Sequence, residues 1–141
     1  MTPFTLKIVT PNGVFFPRGD KPLQVLNVIV RTTVGDKGIL ARHEPYVAAL
    51  PIGKMRVMDI NGKYRTAAVS PGTIRVEENG DTVILVQSCE WKHKIDVERA
   101  NAAKLKAEKR MANPNNSPVE KEIAEFKLKR ALNRLEVAEE E

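Results

Sequence analysis

The sequence predicts an α+β protein, an N-terminal antiparallel β-sandwich over residues 1–90 followed by an antiparallel two-helix hairpin over residues 91–141. Three observations predict this. Up to Glu90 the apolar residues come in short β-branched runs with no helical period. Turn dipeptides, Asn61-Gly62, Pro71-Gly72 and Asn79-Gly80, separate those runs at the spacing of an all-β domain. After Glu90 glycine vanishes, and Ala, Lys, Glu, Arg and Leu, the strong helix formers, take over. A chain of 141 residues has room for one well-buried core and an accessory, and the sandwich and hairpin fill those two places.

Phe4, Leu6 and Ile8 alternate with Thr5 and Lys7, the period of a strand with one buried face. Pro11-Asn12-Gly13 then turns the chain into Val14-Phe15-Phe16, so it opens as a hairpin. Leu23 to Thr33 is rich in β-branched residues and reads as a strand buried on both sides, ending at a flexible Gly35-Asp36-Lys37-Gly38 loop. The two Asn-Gly pairs read as type I′ hairpin turns, in which both central residues need positive φ. Ile95-Asp96 opens the first helix, Asp96 capping free amides and Ile95 placed to pack on Ala100. Ala100, Ala103, Ala107 and Met111 then share a face. Asn113-Pro114-Asn115-Asn116 ends the helix, and Ser117-Pro118-Val119-Glu120 restarts one with a hydroxyl cap, a first-turn proline and a capping-box glutamate. Ala124, Leu128, Ala131, Leu135 and Ala138 make the facing stripe of the second helix. A seam so rich in alanine buries little apolar area, which suits a hairpin that docks and releases as well as one that stays docked.

A turn centred near Asn115 sets Asp96 beside Arg134 and Arg99 beside Ala131, with Arg130 adjacent. Three arginines then meet near the first helix N-terminus, where free amides and the helix dipole also favour an anion. Two readings follow, a phosphate site or ordinary ion pairing with Glu98 and Glu136. Lys104, Lys106, Lys109, Lys127 and Lys129 read as a solvated face that can also dock on an acidic surface.

Catalysis has no foothold. His43 and His93 lie in different halves, and neither a Gly-rich phosphate loop nor a Gly-x-Ser-x-Gly or His-Glu-x-x-His motif occurs. Cys89 is the only cysteine, which excludes an internal disulfide and a multi-cysteine metal site. The formal charge of +5, with glutamates among the basic residues, is not the field of a typical nucleic-acid binder, although a basic helical hairpin binding nucleic acid is the alternative reading. Met1-Thr2-Pro3-Phe4-Thr5 has neither signal nor transit character, and the apolar run near Val25 to Val30 falls far short of a span, so a cytosolic protein reaching a membrane only through a partner is expected.

Four segments in order resemble the epsilon subunit family of F-type ATP synthases. They are Leu6-Lys7-Ile8-Val9-Thr10-Pro11-Asn12-Gly13, the run from Gly35 to Pro45, Ala68-Val69-Ser70-Pro71-Gly72-Thr73-Ile74-Arg75-Val76, and the run from Lys127 to Leu135. The resemblance implies a sandwich of about ten strands plus the hairpin, and a non-catalytic rotor subunit on the cytoplasmic face of a bacterial plasma membrane. It implies that the sandwich binds the gamma subunit and rests on the c-ring, with Arg31, Asp36, Arg42, His43 and Glu44 as the stalk and c-ring contacts. It implies that the hairpin either folds on the sandwich or extends to the alpha/beta catalytic head and inhibits hydrolysis, with Lys127, Lys129 and Arg130 meeting acidic surface. The motif Ile/Leu-Asp-x-x-Arg-Ala, here Ile95, Asp96, Arg99 and Ala100, implies a regulatory ATP site completed by Glu90, Arg130 and Arg134. No catalytic residue, metal or required cofactor is implied.

Overall fold

Phe4, Leu6 and Ile8 of the first strand, β1 (Phe4–Thr10), are buried, while Lys7 between them is exposed. That alternation fixes which face of the sheet meets the core. The computed structural model describes residues 1–19 and 24–140, in two units, Met1–Trp91 and Lys92–Glu141. Leu23, expected to open a strand, lies outside the described residues.

The first unit is a two-sheet sandwich. β2 (Gly13–Phe16) folds back on β1, and β3 (Gln24–Val25) pairs with the other end of β1. β4 (Asn27–Thr32), β5 (Gly35–Ile39), β6 (Tyr46–Leu50), β7 (Gly53–Met58), β8 (Tyr64–Val69), β9 (Gly72–Val76), β10 (Thr82–Val86) and β11 (Cys89–Trp91) follow. One sheet runs β2-β1-β10-β9-β6, with β3 on β1, and the other runs β11-β8-β7-β4-β5. Every described pair is antiparallel except β1–β10, which are parallel, Leu6 to Val9 opposite Thr82 to Leu85. Leu6, Ile8, Ile74 and Ile84 from one sheet, and Val28, Val30, Ile39 and Met55 from the other, are almost wholly removed from water between them. The few buried hydroxyls are satisfied, Thr32 Oγ1 donating to Gly35 O (2.7 Å) and Ser70 Oγ sharing a hydrogen bond with Ser88 Oγ (2.6 Å).

Three sequence expectations need correction here. The segment ending at Thr33 is not one strand buried on both faces. The chain leaves the first sheet after Val25, Leu26 N–H donates to Met58 O (2.9 Å), and β4 then alternates buried with half-buried residues in the second sheet. Gly35 to Gly38, expected as a flexible loop, is strand β5. Gly and Asp are poor strand formers, but β4 offers a complete ladder to an edge strand, and pairing overrides propensity. The Asn-Gly hairpins form, with different turn chemistry. Gly62 (φ 83°) and Gly80 (φ 89°) are left-handed, whereas Arg42 is the one non-glycine at positive φ among the described residues, so neither Asn61 nor Asn79 adopts the type I′ geometry. Gly62 N–H closes a four-residue turn on Asp59 O (3.0 Å), and Asp59 Oδ1 accepts from Asn61 N–H and Lys63 N–H. This is the longer hairpin loop with glycine at its left-handed position.

In the second unit a short 3₁₀ turn (Lys92–Lys94) precedes α1 (Val97–Ala112) and α2 (Pro118–Glu139). Asp96 Oδ1 accepts from Arg99 N–H (3.1 Å). Ser117 and Glu120 form the reciprocal capping box, at 3.1 and 3.3 Å, with Pro118 at the first helical position. Ala100, Ala107, Ala124 and Ala131 are buried. Met111, expected on the α1 face, is 38% exposed because it sits in the last turn, and Val137, outside the expected stripe, is buried.

Gly72 has a second role besides turning the chain, since a Cβ there would overlap the carbonyl oxygen of Leu85 and the Cα of Val86 on β10. Gly72→Ala should therefore destabilise the protein by at least about 1–3 kcal/mol, as overpacking against backbone does. Gly38→Ala, whose Cβ would meet nothing closer than Asn27 Oδ1 at 3.9 Å, should stay within about 0.5 kcal/mol. Denaturant unfolding of the two variants checks the contrast.

Candidate functional site

The hairpin turn is short and tied to itself. Asn116 Nδ2 donates to Arg110 O at the end of α1, and Asn115 N–H donates to Asn113 Oδ1 (3.0 Å). The two helices thus run back antiparallel, and the alanines buried in them bring no bulk to the contact. Long side chains beside such a seam become the walls of a groove. Arg99, Lys106 and Arg110 of α1 and Lys127, Arg130 and Arg134 of α2 line it, with Ala103, Ala107 and Ala131 beneath. The α1 members fall at i, i+7 and i+11, and those of α2 at i, i+3 and i+7, so each set lies along one helical face. Six cations and no carboxylate line this groove.

The three arginines singled out from the sequence, Arg99, Arg130 and Arg134, are brought together, and Lys127 joins them. The remaining motif residues do other work. The Asp96 carboxylate is engaged as the α1 cap, Ala100 is buried, and Ile95 N–H donates to Lys92 O (3.3 Å). Glu90 belongs to the first unit, in β11 opposite Ala68 of β8. Lys129 is not in the groove, and its Nζ lies 3.4 Å from Glu125 Oε1, an exposed pair one helical turn apart. Sequence reasoning missed Lys106 as a groove residue, placing it on the solvated face, and did not single out Arg110. The signal was present, because both continue the row of Arg99 and Ala103.

In the first unit, Arg31 and Asp36 face each other across β4 and β5, Nε to Oδ1 at 3.4 Å. Arg42 holds φ 63° in the loop after β5, and His43 N–H donates to Leu40 O (3.2 Å). His43 Nδ1 lies 2.7 Å from Glu44 O, and its ring meets Tyr46 edge-on at 5.6 Å, with Lys37 Nζ over the same tyrosine at 5.1 Å. Glu44 is exposed beside them. Trp91 is packed rather than displayed, Phe15 and Phe16 against its ring and the Arg65 guanidinium 3.9 Å above it. The outer face of the first sheet carries exposed apolar side chains: Val14 (49%) of β2 and Leu85 (51%) of β10 flank Val9 of β1, and Val47 (68%) of β6 lies two residues along on the same face, in the row of Arg75 and Val83.

No group of His, Cys, Asp or Glu among the described residues is placed to hold a metal ion, and no described helix is long and apolar enough to cross a membrane. Cys89 is buried, and burial, with the Glu90 carboxylate adding to it, pushes its thiol up to about 12.

Residues 3–92 match the family model described as the ATP synthase delta/epsilon chain beta-sandwich domain, and residues 93–139 match its long alpha-helix domain. The ATP synthase epsilon chain of Ruminococcus albus is 39% identical over 138 residues, covering 98% of each chain. That of Bacillus pumilus is 44% identical over 133 residues, covering 94% of this chain and 95% of its own. Among solved structures, a chain of the mitochondrial ATP synthase of Euglena gracilis shares the fold, with a TM-score of 0.81 at 24% identity over 98% of this chain and 82% of that one.

The Cys89 thiol should resist alkylation at pH 8 in the folded protein and react at once when the chain is unfolded. Because the folded state keeps this proton to about pH 12 while the unfolded thiol loses it near 9, the unfolded chain binds fewer protons between those values. Stability should accordingly fall as pH rises through that window, and Cys89→Ala should remove this part of the slope.

Proposed function

The chain belongs to the ATP synthase delta/epsilon chain family as a non-catalytic epsilon-type subunit of the central stalk, and on that premise we propose how its two units divide the work. The sandwich holds the rotor together, and the hairpin regulates it through ATP that is bound without being hydrolysed.

The gamma subunit is assigned to the outer face of the first sheet. Val14, Leu85 and Val47 are the side chains a coil of gamma would cover, and an apolar sheet face of this kind is a reason to expect a partner. The c-ring is assigned to the polar corner of Arg31, Asp36, Arg42, His43 and Glu44. Its charges of both signs suit a contact with the loops of a ring in which the chain itself inserts nothing. Association with the membrane, at the cytoplasmic face, is then wholly through the complex.

The hairpin reading is carried by one observation, the gathering of Arg99, Arg130 and Arg134 from two helices into one end of a single basic groove. Guanidinium groups bind phosphate oxygens through paired charge-assisted hydrogen bonds, and a set supplied by two helices exists only while those helices are antiparallel. ATP therefore has a higher affinity for the folded hairpin than for an extended one, and that difference is what shifts the population. Ile95, Asp96 and Ala100 fix the start of α1, the helix that carries Arg99. In the extended form Lys127, Lys129 and Arg130 meet acidic surface on the alpha/beta head and inhibit hydrolysis. The exposed Lys129–Glu125 pair is no obstacle, since such pairs contribute about 0–1 kcal/mol.

Calorimetric titration and thermal melting with ATP test the site. Saturation at 100 times Kd should stabilise the folded protein by about 2.7 kcal/mol. Arg99→Ala and Arg130→Ala should each weaken binding, and equal binding by native and substituted chains would refute the assignment. In the reconstituted complex, Lys127→Ala with Arg130→Ala should relieve inhibition of hydrolysis, as should raising the ionic strength.

A further inference from the structure

The groove is longer and more positive than one terminal phosphate or its immediate neighbours can use. The ATP triphosphate carries about −4 charges at neutral pH, its terminal phosphate contributing about −1.5 to −2 of them, so six basic side chains exceed even the whole chain of three phosphates. The cations are also not gathered around a point. Arg99 and Arg110 are eleven residues apart on α1, about 16 Å at the helical rise. In the antiparallel register Lys127 falls opposite Ala103, between Arg99 and Lys106, while Arg130 and Arg134 lie toward Arg99, and Lys106 and Arg110 extend toward the hairpin turn. The lining is thus a two-sided row with a floor of Ala103, Ala107 and Ala131, which projects only methyl groups.

From this shape we infer that the groove is an oligophosphate site, in which Arg99, Arg130 and Arg134 hold one end of a linear phosphate chain and Lys106, Arg110 and Lys127 hold its continuation beyond the third phosphate. The inference rests on the reading of this groove as an anion site and adds to it a ligand class. A linear phosphate chain carries no side groups, repeats its negative charge along its length, and offers oxygens to both walls at once. An acidic peptide brings carboxylates at wider spacing on flexible side chains, each of which must be ordered to bind. Four of the six cations are arginines, whose planar fork holds two phosphate oxygens at once.

The experiment is a titration series on the full-length protein with orthophosphate, pyrophosphate, tripolyphosphate, ATP and a linear polyphosphate of defined longer chain. Affinity should rise with chain length past three phosphates, and the long chain should displace ATP. The double substitution Lys106→Gln with Arg110→Gln should weaken the long chain by about tenfold while leaving ATP nearly unchanged, two exposed ion contacts being removed. The salt dependence of long-chain binding should flatten by about 0.7 in log–log slope for each cation removed, as for a single-stranded polyanion. Lys104→Gln with Lys109→Gln, on the same helix but not in the groove lining, should change neither. Affinity that stops rising at tripolyphosphate, an equal loss in the off-groove pair, or oligoglutamate of matched charge binding as tightly as the long chain would each overturn the inference. Long-chain binding that responds to Lys106 and Arg110 while ATP fails to bind would support the oligophosphate site and remove the nucleotide reading, whereas binding of no phosphate chain would remove both.

Discussion

Two helices can run side by side closely only if the residues between them are small, and in this hairpin that condition is met by alanine at positions 100, 107, 124 and 131. Everything the hairpin presents depends on it. A leucine-rich seam would set the helices further apart and spread the basic walls, and it would bury far more apolar area. Alanine gives the reverse on both counts. The walls come close enough for six cations to line one groove, and the driving force for closing the hairpin stays low. The same alanine pattern therefore forms the basic groove of the proposed anion site and would make its assembly sensitive to what occupies it.

The sandwich is built on the opposite principle. Its core is filled by β-branched and long apolar side chains from both sheets, and the parallel β1–β10 pair inserts the N-terminal strand into the middle of the first sheet instead of leaving it at the edge. A strand paired on both sides is well held. A rigid, deeply packed unit that presents an apolar sheet face and a polar corner suits a part that transmits torque, while a thinly packed helical pair suits a part that changes state.

Much of this could be read in the sequence, and the failures have physical causes. Alternation in β1, both Asn-Gly hairpins, the Asp96 cap and the Ser117–Glu120 box are local chemistry, decided within a few residues, and they appear as read. The segment after Leu23 was misread because continuous β-branched composition does not say where a chain changes sheets, and β5 was missed because its glycines and Asp36 gain strand geometry only from the ladder β4 offers. The turn type failed for a related reason, since Asp59 accepts two amide protons and stabilises a longer loop than the Asn-Gly pair alone suggests. In the site, Arg99, Arg130 and Arg134 could be paired because antiparallel register follows from the position of the turn. Lys106 and Arg110 escaped because a charge on a helix reads as solvated until the partner helix is placed beside it, and Asp96 proved to be spent on its own helix terminus.

The electrostatics of the groove bear on how a ligand would act there. Like charges lining one space repel, and where a closed hairpin crowds them that repulsion subtracts from the seam energy. A bound polyanion reverses the sign of that contribution, turning repulsion between the helices into attraction of both to a common centre. No movement of the sandwich and no new apolar contact is needed for the closed form to gain. Salt would do the same thing weakly and without direction, by screening. An acidic protein surface would do it too, but from outside, and it would favour whichever arrangement of the helices lets the cations face outward. In the proposed switch, the competition between the closed and the open hairpin reduces to which anion the cations meet first, and the alanine seam is what would keep the intrinsic preference small enough for that to decide the outcome.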